Sequence, residues 1–169
     1  MGIAMADQII SQDYLKQIFD YKDGNLYWKI KTGARSLKGA KAGYFDKSCK
    51  YSLIRIKGKS YLTHRLIYLY HHGFLPKILD HIDANKLNNK IENLRPSNLI
   101  TNGYNAKISK RNKSRIKGVY WHNLMKKWAV QLSIDGKQKK LGYFENLKDA
   151  EILVKKMREQ HHKEFANHG

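Results

Sequence analysis

Hydrophobic residues recur at helical spacing near the start of the chain and then alternate in short runs. The recurrence over Gln8–Phe19 predicts an amphipathic helix, with Ser11 or Asp13 as its N-cap. The Asp-Gly-Asn sequence at positions 23–25 is a strong turn signal, and it leads into a predicted strand over Leu26–Ile30. The opening segment is therefore expected to combine a helix with a strand.

A hairpin and a second helix are predicted next. The Gly- and Lys-rich stretch Thr32–Lys41 predicts a loop. Two strands, Tyr51–Ile56 and Ser60–Thr63, are expected around a Lys-Gly-Lys turn. The pattern over Leu62–Tyr70 predicts a helix that ends at Gly73, because glycine adopts the left-handed backbone that terminates helices.

The last third of the chain predicts three strands followed by one helix. The Asp-Gly pair after the second strand is typical of a two-residue hairpin turn. Asn146 is expected to cap the helix, with Asp149 completing a relaxed capping box. One helix face should cover the sheet through Leu147, Ala150, Val154, Met157 and His161. The predicted strands are Val119–His122, Trp128–Ile134 and Lys137–Leu141, and Trp121, Trp128 and Phe144 are assigned to the core.

The charge balance narrows the class of partner. The 169 residues include 33 Lys and Arg against 14 Asp and Glu, a net charge of +19 with histidine neutral. Such a charge opposes compaction by self-repulsion, and a polyanion that releases counterions is its natural partner. A membrane surface is disfavoured because the sequence has no long basic amphipathic helix and no apolar run of about 20 residues.

Cysteine content, hydrophobic content and the N-terminal sequence argue against several other classes of protein. The single Cys49 excludes an internal disulfide framework and a Cys-based zinc site. Hydrophobic residues make up 41% of the chain, which is enough for a folded core and argues against global disorder. No signal peptide is visible, so a reducing cytoplasm is the expected location.

The candidate chemistry lies in the polar stretch Leu79–Asn105. Asp80 and His81 put a carboxylate beside an imidazole, and Asn102 supplies an amide oxygen further along. Hard divalent cations bind through such oxygen atoms. A neutral imidazole near the ion can take a proton from water. The stretch therefore predicts metal-assisted hydrolysis of a phosphodiester.

These spacings resemble the ββα-metal fold of the HNH endonucleases, in the His-Asn-Asn variant of homing and phage nucleases. The matching residues are Leu79, Asp80, His81, Asn93, Leu94 and Asn102. The resemblance implies His81 as the general base and Asn93 as the residue that pins the loop orienting His81. It also implies Asp80 and Asn102 as ligands of one Mg²⁺ or Mn²⁺ ion per site, with Asn105 as the alternative ligand.

Residues flanking this motif carry further expectations. Pro96 falls in the expected second strand, which must be an edge strand or very short because proline cannot donate to a ladder. A helix is predicted from Thr101, as its N-cap, to about Ser109. His64 and Arg65 lie in an HRL motif typical of the region before the HNH core; Arg65 is a candidate contact to the scissile phosphate, and His64 is expected to be packed or hydrogen-bonded near the metal site.

A basic segment, Lys107–Lys117, follows without any acidic residue. We interpret it as a linker that lies along the phosphate backbone; a solvated charge run is the alternative. Its basic residues are Lys107, Lys110, Arg111, Lys113, Arg115 and Lys117.

The C-terminal third resembles the Apetala-type (ethylene-response-factor) DNA-binding domain through KGVYWH, KKWAVQL, KKLGYF and HHKEFA. That family lays its sheet in the major groove, where base edges are unambiguous. The resemblance implies DNA contacts from Lys117, Tyr120, His122, Lys127, Gln131, Ser133, Gln138 and Lys140. An ordinary solvated strand face is the alternative for these residues.

Together these features predict an α+β fold in three parts. Residues 7–106 are expected to form the nuclease domain, with N-terminal hairpin and helix elements and a ββα-metal core at 62–106. Residues 107–117 are the basic linker, and residues 118–169 form a small three-stranded antiparallel sheet packed on one helix.

The predicted activity is metal-dependent cleavage of double-stranded DNA, by nicking or double-strand cutting. The enzyme is expected to act as a monomer or a DNA-dependent homodimer, without a membrane or a small-molecule substrate. It is expected in the bacterial host cytoplasm if it is phage-encoded. The alternatives are a DNA-binding regulator with an inactive HNH core, and an RNA-binding or RNA-cleaving protein.

Overall fold

The computed structural model describes residues 10–31, 37–106 and 108–169. Within those ranges, four α-helices and several small antiparallel sheets form a mixed α/β structure, which confirms the broad fold class. The chain divides into two compact units, Met1–Ser97 and Asn98–Gly169. Positions 8–9 of the predicted first helix, 32–36 of the predicted loop, and Lys107 lie outside the described residues.

The first unit opens with a short helix, α1 (Gln12–Ile18). Ser11 is its N-cap, as predicted, and its side chain accepts a hydrogen bond from the Tyr14 N–H at 3.1 Å. The predicted end of the helix is wrong, because Phe19 already lies in a strand. An aromatic residue at that position satisfies both a helical and a strand pattern, so the pattern did not fix the boundary.

The expected turn at 23–25 joins two strands. Strand β1 (Phe19–Lys22) pairs with β2 (Asn25–Trp28) in antiparallel register. Asp23 and Gly24 both have positive φ, 46° and 76°, which suits the right-handed twist of a tight hairpin. The predicted strand over Leu26–Ile30 is thus confirmed over most of its length.

A three-stranded sheet follows in the order β3-β4-β5. Its strands are β3 (Tyr44–Asp46), β4 (Tyr51–Ile56) and β5 (Lys59–Leu62), so the predicted hairpin is confirmed and β3 is an addition. Helix α2 (Thr63–His72) ends at Gly73, whose φ of 76° is the predicted left-handed termination. A two-stranded sheet of β6 (Ile78–His81) and β7 (Leu94–Ser97) completes the unit.

One hydrophobic core holds these elements together. Its fully buried members come from α1, both hairpins and α2, and include Leu15, Ile18, Phe19, Leu26, Ile54 and Ile67. Leu94 of β7 belongs to the same core, and Leu79 of β6 packs against it. The sheet that carries the candidate chemistry is therefore fixed to the main core of its unit.

The second unit packs one helix against a three-stranded sheet, as predicted. It starts with helix α3 (Leu99–Tyr104), and the sheet has the order β10-β9-β8. The strands are β8 (Val119–His122), β9 (Lys127–Ile134) and β10 (Lys137–Phe144), and helix α4 spans Leu147–His162. The Asp-Gly hairpin turn is confirmed by φ values of 52° and 76° at Asp135 and Gly136.

Two predictions about side chains in this unit are wrong. His161 is exposed, and the buried stripe of α4 continues instead through Arg158 and His162, since four-residue steps from Val154 reach those positions. Trp121 is 43% exposed, so its assignment to the core is wrong. Trp128 and Phe144, the other two aromatic residues assigned to the core, do pack against the buried cluster of this unit. The N-cap assigned to Asn146 is confirmed by its bond from the Lys148 N–H.

The boundaries predicted for α3 are also wrong. Asn98 is its N-cap, and Thr101 is the third residue of a reciprocal capping box with Asn98. The helix ends at Tyr104 rather than at Ser109. Among the described residues, no helix combines the length and the hydrophobicity needed to cross a bilayer.

Candidate active site

The pairing of β6 with β7 positions the Asp-His pair. The register places Leu79 opposite Pro96, Asp80 opposite Arg95, and His81 opposite Leu94. Strand β7 is four residues long, and a two-stranded sheet has only edge strands, which is how it tolerates the proline. Asp80 and His81 are both buried, 8% and 5% exposed, so their surroundings fix their positions.

Asp80 forms a buried ion pair with Arg95. Oxygen Oδ2 of Asp80 lies 3.1 Å from Arg95 Nη2 and 3.3 Å from Arg95 Nε. The two side chains are only 9% and 13% exposed, so water screens this attraction weakly. The sequence analysis did not single out Arg95. The strand register could have identified Arg95, because antiparallel pairing of the two short strands puts Arg95 directly across from Asp80.

The His81 ring is held by a second residue that sequence reasoning missed. His81 Nε2 donates to Asn89 Oδ1 at 3.1 Å, and Asn89 is 5% exposed. Because an amide oxygen can only accept, Nε2 carries the hydrogen in this contact. Asn89 therefore fixes the orientation of the His81 ring.

Asn93 ties together the loop between the two strands. Its Oδ1 accepts from the Asp83 N–H at 3.1 Å, and its Nδ2 donates to Asp83 Oδ1 at 3.0 Å and to the Asn88 carbonyl at 2.7 Å. Partial burial raises the pKa of Asp83, but hydrogen bonds from Asn88, the Asn85 N–H and Asn93 outweigh it and lower the pKa. The charged carboxylate thus serves as the acceptor around which the loop is organised.

His64 of α2 packs beside the His81 ring. The two ring centroids are 5.0 Å apart in an edge-to-face arrangement, and the Tyr51 ring lies 5.2 Å from His64 and 6.3 Å from His81. Burial and, to a smaller extent, the nearby charges of His81, Arg65 and Lys86 lower the pKa of His64 to about 3. His64 is therefore neutral near pH 7 and packs near the site, as the sequence analysis expected.

The N-terminal hairpin supports the loop that carries Asn89. The Tyr21 hydroxyl oxygen accepts from the Ile91 N–H at 3.1 Å. A Cβ added at Gly24 would lie 2.7 Å from the Lys90 backbone nitrogen and 3.0 Å from the Asn89 carbonyl carbon. The hairpin turn therefore approaches the loop backbone more closely than any side chain would allow.

Replacing Gly24 with alanine is expected to destabilise the first unit and slow any reaction that depends on His81. The control is Gly58→Ala, because Gly58 also has positive φ, 80°, but nothing lies within 4 Å of its added Cβ. Both substitutions should lower the free energy of unfolding by about 1–2 kcal/mol, because alanine disfavours a left-handed backbone. Gly24→Ala should lower it further through the clash of its Cβ with the Lys90 backbone nitrogen. Thermal denaturation compares the two variants; equal losses would contradict the close approach.

Asn102 and Asn105 belong to the second unit. Asn102 is exposed on α3, and its N–H donates to the Asn98 carbonyl at 2.9 Å, so the helix fixes its backbone. Asn105, the alternative ligand, is buried, and its amide oxygen accepts from Asn167 Nδ2 at 3.0 Å. Of the two amides, that of Asn102 is the better placed to bind a ligand from solvent.

The predicted DNA-contacting residues differ in their exposure. Lys110, Arg111, Lys113, Arg115, Tyr120, Gln138 and Lys140 are exposed, whereas Arg65, Lys117, His122, Lys127, Gln131 and Ser133 are half-buried. Lys127 forms an ion pair with Glu145 at 3.3 Å. Gln131 donates to Gln138 at 3.2 Å across the sheet. The exposed set therefore lies mostly in the basic segment and at the end of the sheet nearest the Asp-Gly turn.

The Lys117 side chain forms hydrogen bonds within the protein. Its ammonium donates to the Tyr104 carbonyl at 2.7 Å and also to the Ala106 carbonyl. Burial and, to a smaller extent, the Arg158 charge lower the pKa of Lys117 to about 8. Around it, residues 108–116 form compact turns in which Asn112 and Ser114 bind the backbone of Ile116 and Val119. Much of the predicted linker is thus folded into the second unit.

The donor set suits a hard divalent ion. Asp80 offers a carboxylate and Asn102 an exposed amide oxygen, and Mg²⁺ and Mn²⁺ prefer such oxygen ligands. Among the described residues, no three His, Cys, Asp or Glu side chains gather as a metal cluster.

Comparisons with known proteins point in the same direction. Residues 61–106 match the HNH endonuclease family. A stretch of 68 residues is 38% identical to Protein 3.8 of Escherichia phage T7, covering 39% of this chain and 56% of that protein. No solved structure matches the chain. The segment at residues 61–106 therefore resembles the HNH endonuclease family, and it carries Asp80, His81, Asn93 and Asn102.

Proposed function

We propose that this protein is a metal-dependent endonuclease that hydrolyses phosphodiester bonds in double-stranded DNA. The observation that carries the proposal is the His81 ring at the end of β6, buried and held through Nε2 by Asn89. A general base needs a ring held in one orientation, and the contact with Asn89 supports that role for His81. The family match over residues 61–106 supports the reaction class.

In the proposed reaction, His81 Nδ1 takes a proton from the attacking water. The water oxygen forms a bond to phosphorus, and the bond from phosphorus to the 3′ oxygen breaks. The 3′ oxygen takes a proton from solvent water as it leaves, and His81 returns its proton to solvent, so the products carry a 5′ phosphate and a 3′ hydroxyl. Asn89 holds the ring throughout, and as His81 gains charge the bond to the amide oxygen of Asn89 becomes charge-assisted and stronger.

Asp80 and Asn102 are the residues we propose to hold one Mg²⁺ or Mn²⁺ ion. When bound, the ion supplies positive charge that stabilises the leaving oxygen and the transition state. Arg95 holds the Asp80 carboxylate in place at 3.1 Å. Asn93 keeps the loop between the strands in one conformation through its bonds to Asp83 and Asn88.

The proposal is tested by adding the purified protein to supercoiled plasmid with millimolar Mg²⁺. We expect nicked circles, because one site cuts one strand in each encounter, and linear DNA only if two copies meet on one target. EDTA is expected to stop the reaction. A preparation that leaves the plasmid supercoiled with both Mg²⁺ and Mn²⁺ would exclude the proposed activity.

Binding to DNA is proposed to depend on the exposed basic segment as well as on the sheet. Replacing Lys110, Arg111 and Lys113 with glutamine should reduce the slope of log affinity against log salt by about 2 to 3, since each phosphate contact contributes about 0.9. The matched control replaces Lys148, Lys155 and Lys156, which are exposed on α4. Equal slopes for the two triple variants would show that only total charge matters.

A DNA-binding regulator with an inactive HNH core is the second candidate. The Asp80–Arg95 ion pair favours it, because a carboxylate already neutralised by arginine attracts a cation less strongly. Such a protein would bind duplex DNA with the same dependence on salt and leave plasmid intact. We place the endonuclease first because His81 and Asn89 have the geometry of a base and its support.

A further inference from the structure

Helix α3 is too short to be stable alone. It has six residues, and isolated helices of fewer than about 12 residues are marginal in water. The capping box between Asn98 and Thr101 satisfies its first turn, but its last carbonyl groups need other partners. The position of Asn102 on this helix therefore depends on whatever anchors the helix.

The first anchor is an aromatic stack with the end of α4. The Tyr104 and His162 rings are stacked, with centroids 3.6 Å apart and an angle of 4° between the ring planes, and both residues are buried. The Tyr104 hydroxyl oxygen accepts from the Asp135 N–H at 2.9 Å, and His162 Nε2 donates to the Ser133 carbonyl at 2.6 Å. The stack thereby joins α3 to both α4 and the turn after β9.

The second anchor satisfies the C-terminal end of α3. Lys117 donates to the carbonyl groups of Tyr104 and Ala106. Asn167 Nδ2 donates to the Asn105 carbonyl at 2.9 Å and to Asn105 Oδ1 at 3.0 Å. The carbonyl groups of Tyr104 and Asn105 are among those that a helix end leaves unpaired, so Lys117 and Asn167 act as its cap.

All of these partners lie beyond the segment that matches the nuclease family. The match ends at residue 106, and the division into compact units places residues 98–106 with the C-terminal unit. We propose that His162 and Asn167 are positioning residues for the nuclease, because they fix the helix that presents Asn102. The inference rests on the proposed function, in which Asn102 is a ligand of the metal ion.

The test compares His162→Ala and Asn167→Ala with His161→Ala. His161 is the adjacent, exposed histidine, so it is matched in residue type and sequence position. We expect the two anchor variants to raise the Mg²⁺ concentration for half-maximal nicking by about tenfold or more, as lost supporting contacts do at metal sites. Affinity for DNA in EDTA should stay within about twofold, because the sheet face and basic segment are retained.

A second measurement is independent of cleavage. Amide hydrogen exchange at Asn102, whose N–H bonds to Asn98, reports the order of α3 directly. Faster exchange in His162→Ala, with recovery in His162→Phe because phenylalanine keeps a ring for the stack, supports the anchoring. Unchanged exchange and unchanged half-saturation in both anchor variants would overturn the inference.

The two proposals fail in different ways. If the parent protein never nicks DNA, the proposed function is wrong and no residue positions a nuclease, even if exchange shows that His162 holds the helix. If the parent nicks DNA but the anchor variants match His161→Ala, the endonuclease stands and the positioning role is wrong.

Discussion

Replacing His81 with alanine is expected to lower the rate of DNA cleavage by about 10²–10⁴-fold while DNA affinity stays unchanged. The ring is 5% exposed and bonded to Asn89, so it contributes a fixed base rather than contact area for DNA. Removing it leaves the attacking water without a proton acceptor. Single-turnover cleavage and a gel-shift titration in EDTA measure the two quantities separately.

Two controls separate chemistry from folding. His72→Ala removes an exposed histidine at the end of α2 and should leave the rate unchanged. Asn89→Ala frees the His81 ring and should lower the rate less than loss of the ring itself. Added imidazole, which can occupy the space left by the deleted ring, should restore part of the cleavage in His81→Ala. A His81→Ala variant that cuts at the parent rate would show that another group is the base.

Local patterns were sufficient where neighbouring residues determine the structure. The hairpin of β4 and β5, the termination at Gly73 and the Asp-Gly turn before β10 were all predicted correctly. In each, glycine or a short turn sequence fixes the backbone whatever lies around it. The candidate ligands and base, Asp80, Asn102 and His81, could also be named from the sequence, because residue type decides which groups can bind a metal or accept a proton.

Other features depend on partners distant in sequence. Asn89 lies in an Asn-rich loop where several amides looked equivalent, and only the fold selects it as the partner of His81. Arg95 is identified as the partner of Asp80 only by the register of β6 and β7. The burial of His162 in place of His161 depends on the phase of α4, which Tyr104 of α3 helps to set. Patterns of hydrophobicity do not carry this information.

The ion pair between Asp80 and Arg95 gives the second large prediction. Arg95→Ala should destabilise the metal-free protein by about 3 kcal/mol, because removing one partner leaves a buried charge poorly compensated. The control is Lys127→Ala, which breaks the Lys127–Glu145 pair with side chains 40% and 84% exposed. That change should cost no more than about 1 kcal/mol, since water screens exposed pairs.

Adding Mg²⁺ should recover part of the stability lost in Arg95→Ala. If Asp80 is a metal ligand, a divalent ion takes the place of the arginine charge, and binding to the folded state alone raises its stability. The recovery should vanish in the Asp80→Ala, Arg95→Ala double variant. Melting temperatures with and without millimolar Mg²⁺ measure it. No recovery in Arg95→Ala would remove Asp80 from the proposed metal site and favour the DNA-binding regulator over the endonuclease.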